Sequence, residues 1–199
     1  MIHSSTVPAA SPQAILDFWF GDPGSPDYGQ PRKFWFMKNP DFDQSIRDRF
    51  LAVHHQAMAG QLDFWGDHPE GSLALLIVLD QFSRNLYRGQ PQAFTADSKA
   101  RAIAQQALEQ QFDQRLLPVQ RWFIYLPFEH SEAWSDQQLS LQLWQGLKNH
   151  LPSSDALRYA QKHAEVIRRF GRFPHRNSIL GRPNTPAEQD FLQQPGSGF

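Results

Sequence analysis

The stretch PEGSLALLIVLDQFSRNLYR (Pro69–Arg88) governs how the whole chain is read. Its centre, Leu73–Leu79, is apolar on every side, as a buried element must be. Seven such residues fit a buried helix or a buried strand, and periodicity alone does not separate the two. The rest of the chain favours the helix, because no other run alternates like a strand and helix formers dominate. Polar residues then arrive abruptly at Asp80, Gln81, Arg84, Asn85 and Arg88. With spacing i, i+4, i+8, Asp80, Arg84 and Arg88 are expected on one helix face. Such a face projects into a cleft or into a buried ion-pair network.

Outward from this run, start and stop signals recur. Ser11-Pro12 and Asn39-Pro40 each place an N-cap before a first-position proline, and Gly21 ends the first helix. Phe42, Ile46, Phe50, Val53 and Ala57 keep helical spacing up to Gly60. Thr95 is expected to cap a helix over 96–111, and Leu117-Pro118 to open one that Pro127 interrupts. Ser135 or Asp136 is expected to cap the next, through Leu147. Ser153–Asp155 caps a helix over Ala156–Phe170, with Tyr159, His163, Ile167 and Phe170 on one face and Gly171 as its stop. Thr185-Pro186-Ala187-Glu188 has the form of a capping box. The expectation is an all-α chain of eight to ten helices stacked as antiparallel pairs. Residues 1–199 form one domain in this reading, with 1–11 and 195–199 as loose ends.

Composition narrows the function classes. With no cysteine, the chain has no disulfide framework, thiolate metal site or cysteine nucleophile. No apolar run approaches the roughly 20 residues of a membrane span, and the N-terminus lacks a signal-peptide pattern, so a cytoplasmic, membrane-free protein is expected. The net charge of −1 makes nucleic acid an unlikely partner. That average hides a division: residues 158–182 carry seven Lys/Arg and one acid, leaving 12 basic and 19 acidic residues elsewhere.

The basic stretch Arg168–Arg182, RRFGRFPHRNSILGR, packs five arginines, His175 and Asn177 between two glycine turns. Arg172, Arg176, Asn177 and Arg182 supply donors suited to an anion, and His175 can move a proton near neutral pH. His163, on the preceding helix, reads either as a satisfied core histidine or as part of this wall. In PFEHSE, His130 and Glu132 are the other candidates for acid–base work. The HExxH spacing of a helical metal site is absent, and no metal or other cofactor is expected. The plainer reading of each cluster is an ion-pair network that fixes helix packing.

Three blocks, LALLIVLDQFSRNLYRG (73–89), LPFEHSE (126–132) and YAQKHAEVIRRFGRFPHRNSILGR (159–182), resemble the signature of the bacterial "domain of unknown function 924" family. The likeness runs from Ile15 to Leu192 and takes in Trp35-Phe36 and the closing TPAEQDFL. Ser83 stands where that family has Pro, and Glu129 where it has Met, which weakens a catalytic role for Glu129. The resemblance implies a tetratricopeptide-like α–α superhelix and supplies no activity.

Together these residues predict one polar pocket walled by Asp80–Arg88, His130–Glu132 and His163–Arg182. Its expected ligand is a small anionic molecule gripped by Arg84, Arg176 and Arg182, with Asp80, Arg88, His163, Arg172 and Asn177 around it. His130 and His175 are the proton-transfer candidates. One alternative is a hydrolase or transferase that uses Glu132 with His130 or His175 as an acid–base pair, with or without the assistance of a metal. Another is a peptide-binding scaffold with Trp35, Trp65 or Trp134 exposed in a groove.

Overall fold

The computed structural model describes residues 11–150 and 155–198, and every regular element among them is helical. Eight helices follow in order: α1 Pro12–Phe20, α2 Pro40–Met58, α3 over 69–86, α4 Asp97–Glu109, α5 Pro118–Glu129, α6 Trp134–Leu147, α7 Ala156–Phe170 and α8 Pro186–Leu192. Short 3-10 turns fill several connections, including Pro91–Phe94 and Pro174–Arg176.

Helix α3 is the hub. It packs against α1, α2, α4 and α5, and every residue from Leu73 to Leu79 is fully buried. Each Leu, Ile or Val among them contributes roughly 1.5–3 kcal/mol when taken out of water. That all-round burial explains why the run shows no amphipathic period. Beyond the hub, consecutive helices pair: α5 on α6 and α6 on α7. A second, small apolar cluster of Val166, Ile167 and Phe173 is joined by Phe170 and Phe191 and fastens the C-terminal segment.

Inside α3, residues Ile77–Phe82 form a π-helical turn between the α-helical pieces Pro69–Leu76 and Ser83–Leu86. The wide turn carries Asp80. The helix stops at Leu86, and Tyr87 leaves helical geometry (φ −124°, ψ 33°). Arg88 therefore falls off the face expected to hold Asp80, Arg84 and Arg88 together.

Several caps form as expected because they are local. Ser11 accepts from Ala14 N, Asn39 from Asp41 N and Phe42 N, and Thr185 from Glu188 N. Gly171 closes α7 with φ +69°, a conformation that favours glycine. Three others differ. Thr95 donates to Gln92 O inside a turn instead of capping, and α4 starts at Asp97. Helix α6 begins at Trp134, before Ser135 and Asp136, with no side-chain cap bond. Helix α5 runs through Pro127, where the burial of Phe123, Ile124, Leu126 and Phe128 outweighs the local cost of proline. Tyr159 is exposed rather than sharing the buried face of His163 and Ile167, and Ser153 lies outside the described residues.

Candidate functional site

The site grows from the π turn of α3. Asp80 is buried with 1% exposure and accepts on both oxygens. His130 Nδ1 lies 2.8 Å from Asp80 Oδ1, Arg84 Nη1 lies 3.0 Å from the same oxygen, and Gln81 Nε2 donates to Oδ2 at 2.6 Å. Burial alone would raise the Asp80 carboxyl, but Arg84 and His130 outweigh it and hold it well below the usual carboxylate range. Burial is also the largest influence on His130; helped by Arg84 and opposed by Asp80, it lowers the imidazole below its ordinary value. Asp80 is thus an anion and His130 a neutral ring near pH 7. An acceptor-only carboxylate requires the proton on Nδ1, so Nε2 bears the lone pair. A histidine oriented in this way can take a proton from a ligand.

Arg84 reaches from α3 to the first residue of α4. Its Nη1 and Nη2 donate to Asp97 Oδ1 and Oδ2 at 3.1 and 3.3 Å. Arg176 Nη1 also approaches Asp97 Oδ2, at 3.6 Å. Its guanidinium lies over Phe173 at 4.5 Å and over Phe94 at 4.8 Å, with the side chain 8% exposed. Its Nε is buried without a hydrogen-bond partner among the described residues. Burial, with help from the Arg84 charge, pushes Arg176 down to about 10. The charges of Asp80, Asp97 and Glu132 also reach it. His175, beside Arg176 in the same turn, is pushed down to about 4 by burial and by Arg176, and it feels His163, Glu132 and His130 as well. His130 and His175 therefore share one electrostatic neighbourhood.

His163 enters from α7. Its ring lies 6.3 Å from that of His130 and edge-on to Phe173 at 5.5 Å. Its Nδ1 meets Tyr159 O at 2.9 Å and Glu129 Oε1 at 3.0 Å. Glu129, the last residue of α5 and the neighbour of His130 in sequence, is 3% exposed, and its Oε2 has no hydrogen-bond partner among the described residues.

The chain matches the family described as "Bacterial protein of unknown function (DUF924)" over residues 15–196. It belongs to that family. A solved structure of a protein of unknown function from Agrobacterium tumefaciens is similar to this DUF924 chain, with a TM-score of 0.82 and 39% identity. The match covers 92% of this chain and 96% of the other. No curated protein matches.

In this DUF924 protein the structure gathers Asp80, Arg84, His130, His163, His175 and Arg176, and assigns the other candidates to fastenings. Arg88 grips Asp43 with two bonds of 2.9 Å, tying the end of α3 to the first turn of α2. Arg172 holds Glu188 at 2.6 and 2.8 Å, anchoring α8. Arg182 takes Glu132 bidentately at 2.7 and 2.9 Å and donates to Asn177 Oδ1 and Phe173 O. Asn177 is fully buried and donates to Asn184.

Of the two histidines expected to work with Glu132, His130 sits on Asp80, and His175 lies within reach of the Glu132 charge. Glu132 also accepts from Phe173 N at 2.8 Å, so its oxygens are taken by the loop, and the carboxylate on His130 is Asp80. Asp97 and Phe94 carry no sequence signal of their own, since Asp97 looks like an ordinary first-turn acid. Among the described residues, no group of three or more His, Asp or Glu side chains is arranged to hold a metal. No helix among them is long and apolar enough to cross a membrane.

Proposed function

We propose that the protein binds a small anionic molecule, a carboxylate or phosphate, at Arg84 and Arg176 beside the Asp80–His130 pair. Arg176 carries the proposal. A buried guanidinium normally fills its donors, because each unmet one costs about 1–3 kcal/mol. Here two aromatic faces and one carboxylate at 3.6 Å surround it, and Nε is unmet. An anion would complete its fork. Around it the side chains of Arg84, Asp97 and Glu132 keep 21–28% of their surface exposed.

In a thermal-shift titration with inorganic phosphate and acetate, the wild type should gain Tm as anion concentration rises. Arg176→Gln should lose the gain. Arg168→Gln, in an exposed pair with Glu165, should keep it. An unchanged response in Arg176→Gln would remove the proposal.

The Asp80–His130 pair favours a second reading, in which His130 Nε2 acts as base in a hydrolase or transferase. It predicts slow turnover of p-nitrophenyl acetate or p-nitrophenyl phosphate, abolished in His130→Gln. Absence of turnover in the wild type would end it. Of the three tryptophans the peptide-scaffold reading would expose, Trp134 is exposed, and Trp35 and Trp65 are core residues at 4% and 5% exposure.

A further inference from the structure

We infer that the anion bound here also carries an amine, which is met by Glu129. The inference rests on the anion reading above and extends it to a ligand class: small amino carboxylates.

Two buried polar atoms at the site lack partners among the described residues, Arg176 Nε and Glu129 Oε2. They are complementary. A guanidinium only donates and a carboxylate oxygen accepts, so a simple anion can meet the first and not the second. Phosphate or acetate would fill Arg176 and leave Glu129 Oε2 as it stands.

Contacts through one ring cluster link the two residues. Glu129 Oε1 is fixed on His163 Nδ1 at 3.0 Å, so its second oxygen is held in place. The His163 ring stands edge-on to Phe173 at 5.5 Å, and the Phe173 face carries the Arg176 guanidinium at 4.5 Å. His130, on Asp80, stands 6.3 Å from His163. A ligand with its carboxylate on Arg176 and Arg84 and an ammonium on Glu129 would run past these rings. It would supply the acceptor that Arg176 needs and the donor that Glu129 needs. A buried carboxylate oxygen left bare is costly, and an ammonium contact is charge-assisted.

The test is a thermal-shift comparison of matched probes: glycine, β-alanine, γ-aminobutyrate and ε-aminocaproate against acetate, propionate, butyrate and caproate. At one chain length the amine-bearing probe should act at about tenfold lower concentration than its amine-free partner, as expected for a charge-assisted bond. In Glu129→Met, which fills the volume without charge, that ratio should fall to parity. Glu129→Gln, which can still bond His163, should lower it as well, and circular dichroism of both variants establishes folding. Equal responses to both probe sets in the wild type mean that water meets Glu129, and they overturn the amine inference while leaving the anion reading standing. A ratio that survives in Glu129→Met also overturns it. No response to any probe overturns both.

Discussion

Glu132 accepts three bonds: two from the Arg182 guanidinium and one from Phe173 N. Through Arg182 it also holds Asn177 and the Phe173 carbonyl, so one carboxylate sets the shape of the 172–182 loop that presents Arg176. Burial pushes the Glu132 carboxyl up, but the Arg182 bonds, the Phe173 N–H and the charges of Arg182 and Arg176 prevail and hold it below the ordinary value. A folded-state value below the unfolded one contributes stability above about pH 4.3, lost as pH falls through the folded value. Glu132→Gln should therefore cost about 1–3 kcal/mol at neutral pH. The Tm gap to wild type should close as the solution is acidified below about pH 4. A gap of constant size across that range would show that the carboxylate charge is not what locks the loop.

At the scale of elements, the start of α3 tests packing against propensity. Alanine is the better helix former by about 1 kcal/mol. Yet a Cβ on Gly71 would collide with the carbonyl oxygen of Trp65, in the Asp63–Asp67 turn that packs on this helix. That oxygen belongs to backbone and cannot swing away. Gly71→Ala should lower stability by about 1–3 kcal/mol, read as a fall in Tm. A rise in Tm would mean that the turn yields freely. The same contrast governs which elements were readable. The caps at Ser11, Asn39 and Thr185 and the stop at Gly171 each depend on neighbours within four residues, so the sequence displays them. Pro127 defeats the local rule because the energy that keeps α5 intact comes from the other helices that bury its sides. The π turn likewise has no local mark within an uninterrupted apolar run.

For the whole molecule, helical class and the three site segments were legible from patterning, because buried runs and basic blocks are properties of composition. Who meets whom was not. Asp80 and His130 are 50 residues apart in sequence, and Glu132 is the same distance from Arg182. Spacing suggested Glu132 as the partner of a histidine and Asp80 as a helix-face neighbour of Arg84. Only the docking of α5 on α3 gives Asp80 to His130, and only the loop after α7 takes Glu132 away. The excess positive charge of 158–182 is likewise spent mostly within the fold: Arg172 on Glu188, Arg182 on Glu132 and Arg168 on Glu165, which leaves Arg176 as the buried cation least well matched.

The wide turn at Ile77–Phe82 has a consequence for comparing relatives. It accommodates an extra residue without ending the helix. A relative one residue shorter between 77 and 82 would still form an unbroken buried helix, and the other helices could still close around it. Removing that residue would return the turn to α geometry and leave Ser83–Leu86 facing as before, so what changes is the direction of the residues inside the turn, Asp80 among them. Length across this short interval therefore decides where the Asp80 carboxylate points and leaves the closure of the surrounding helices untouched.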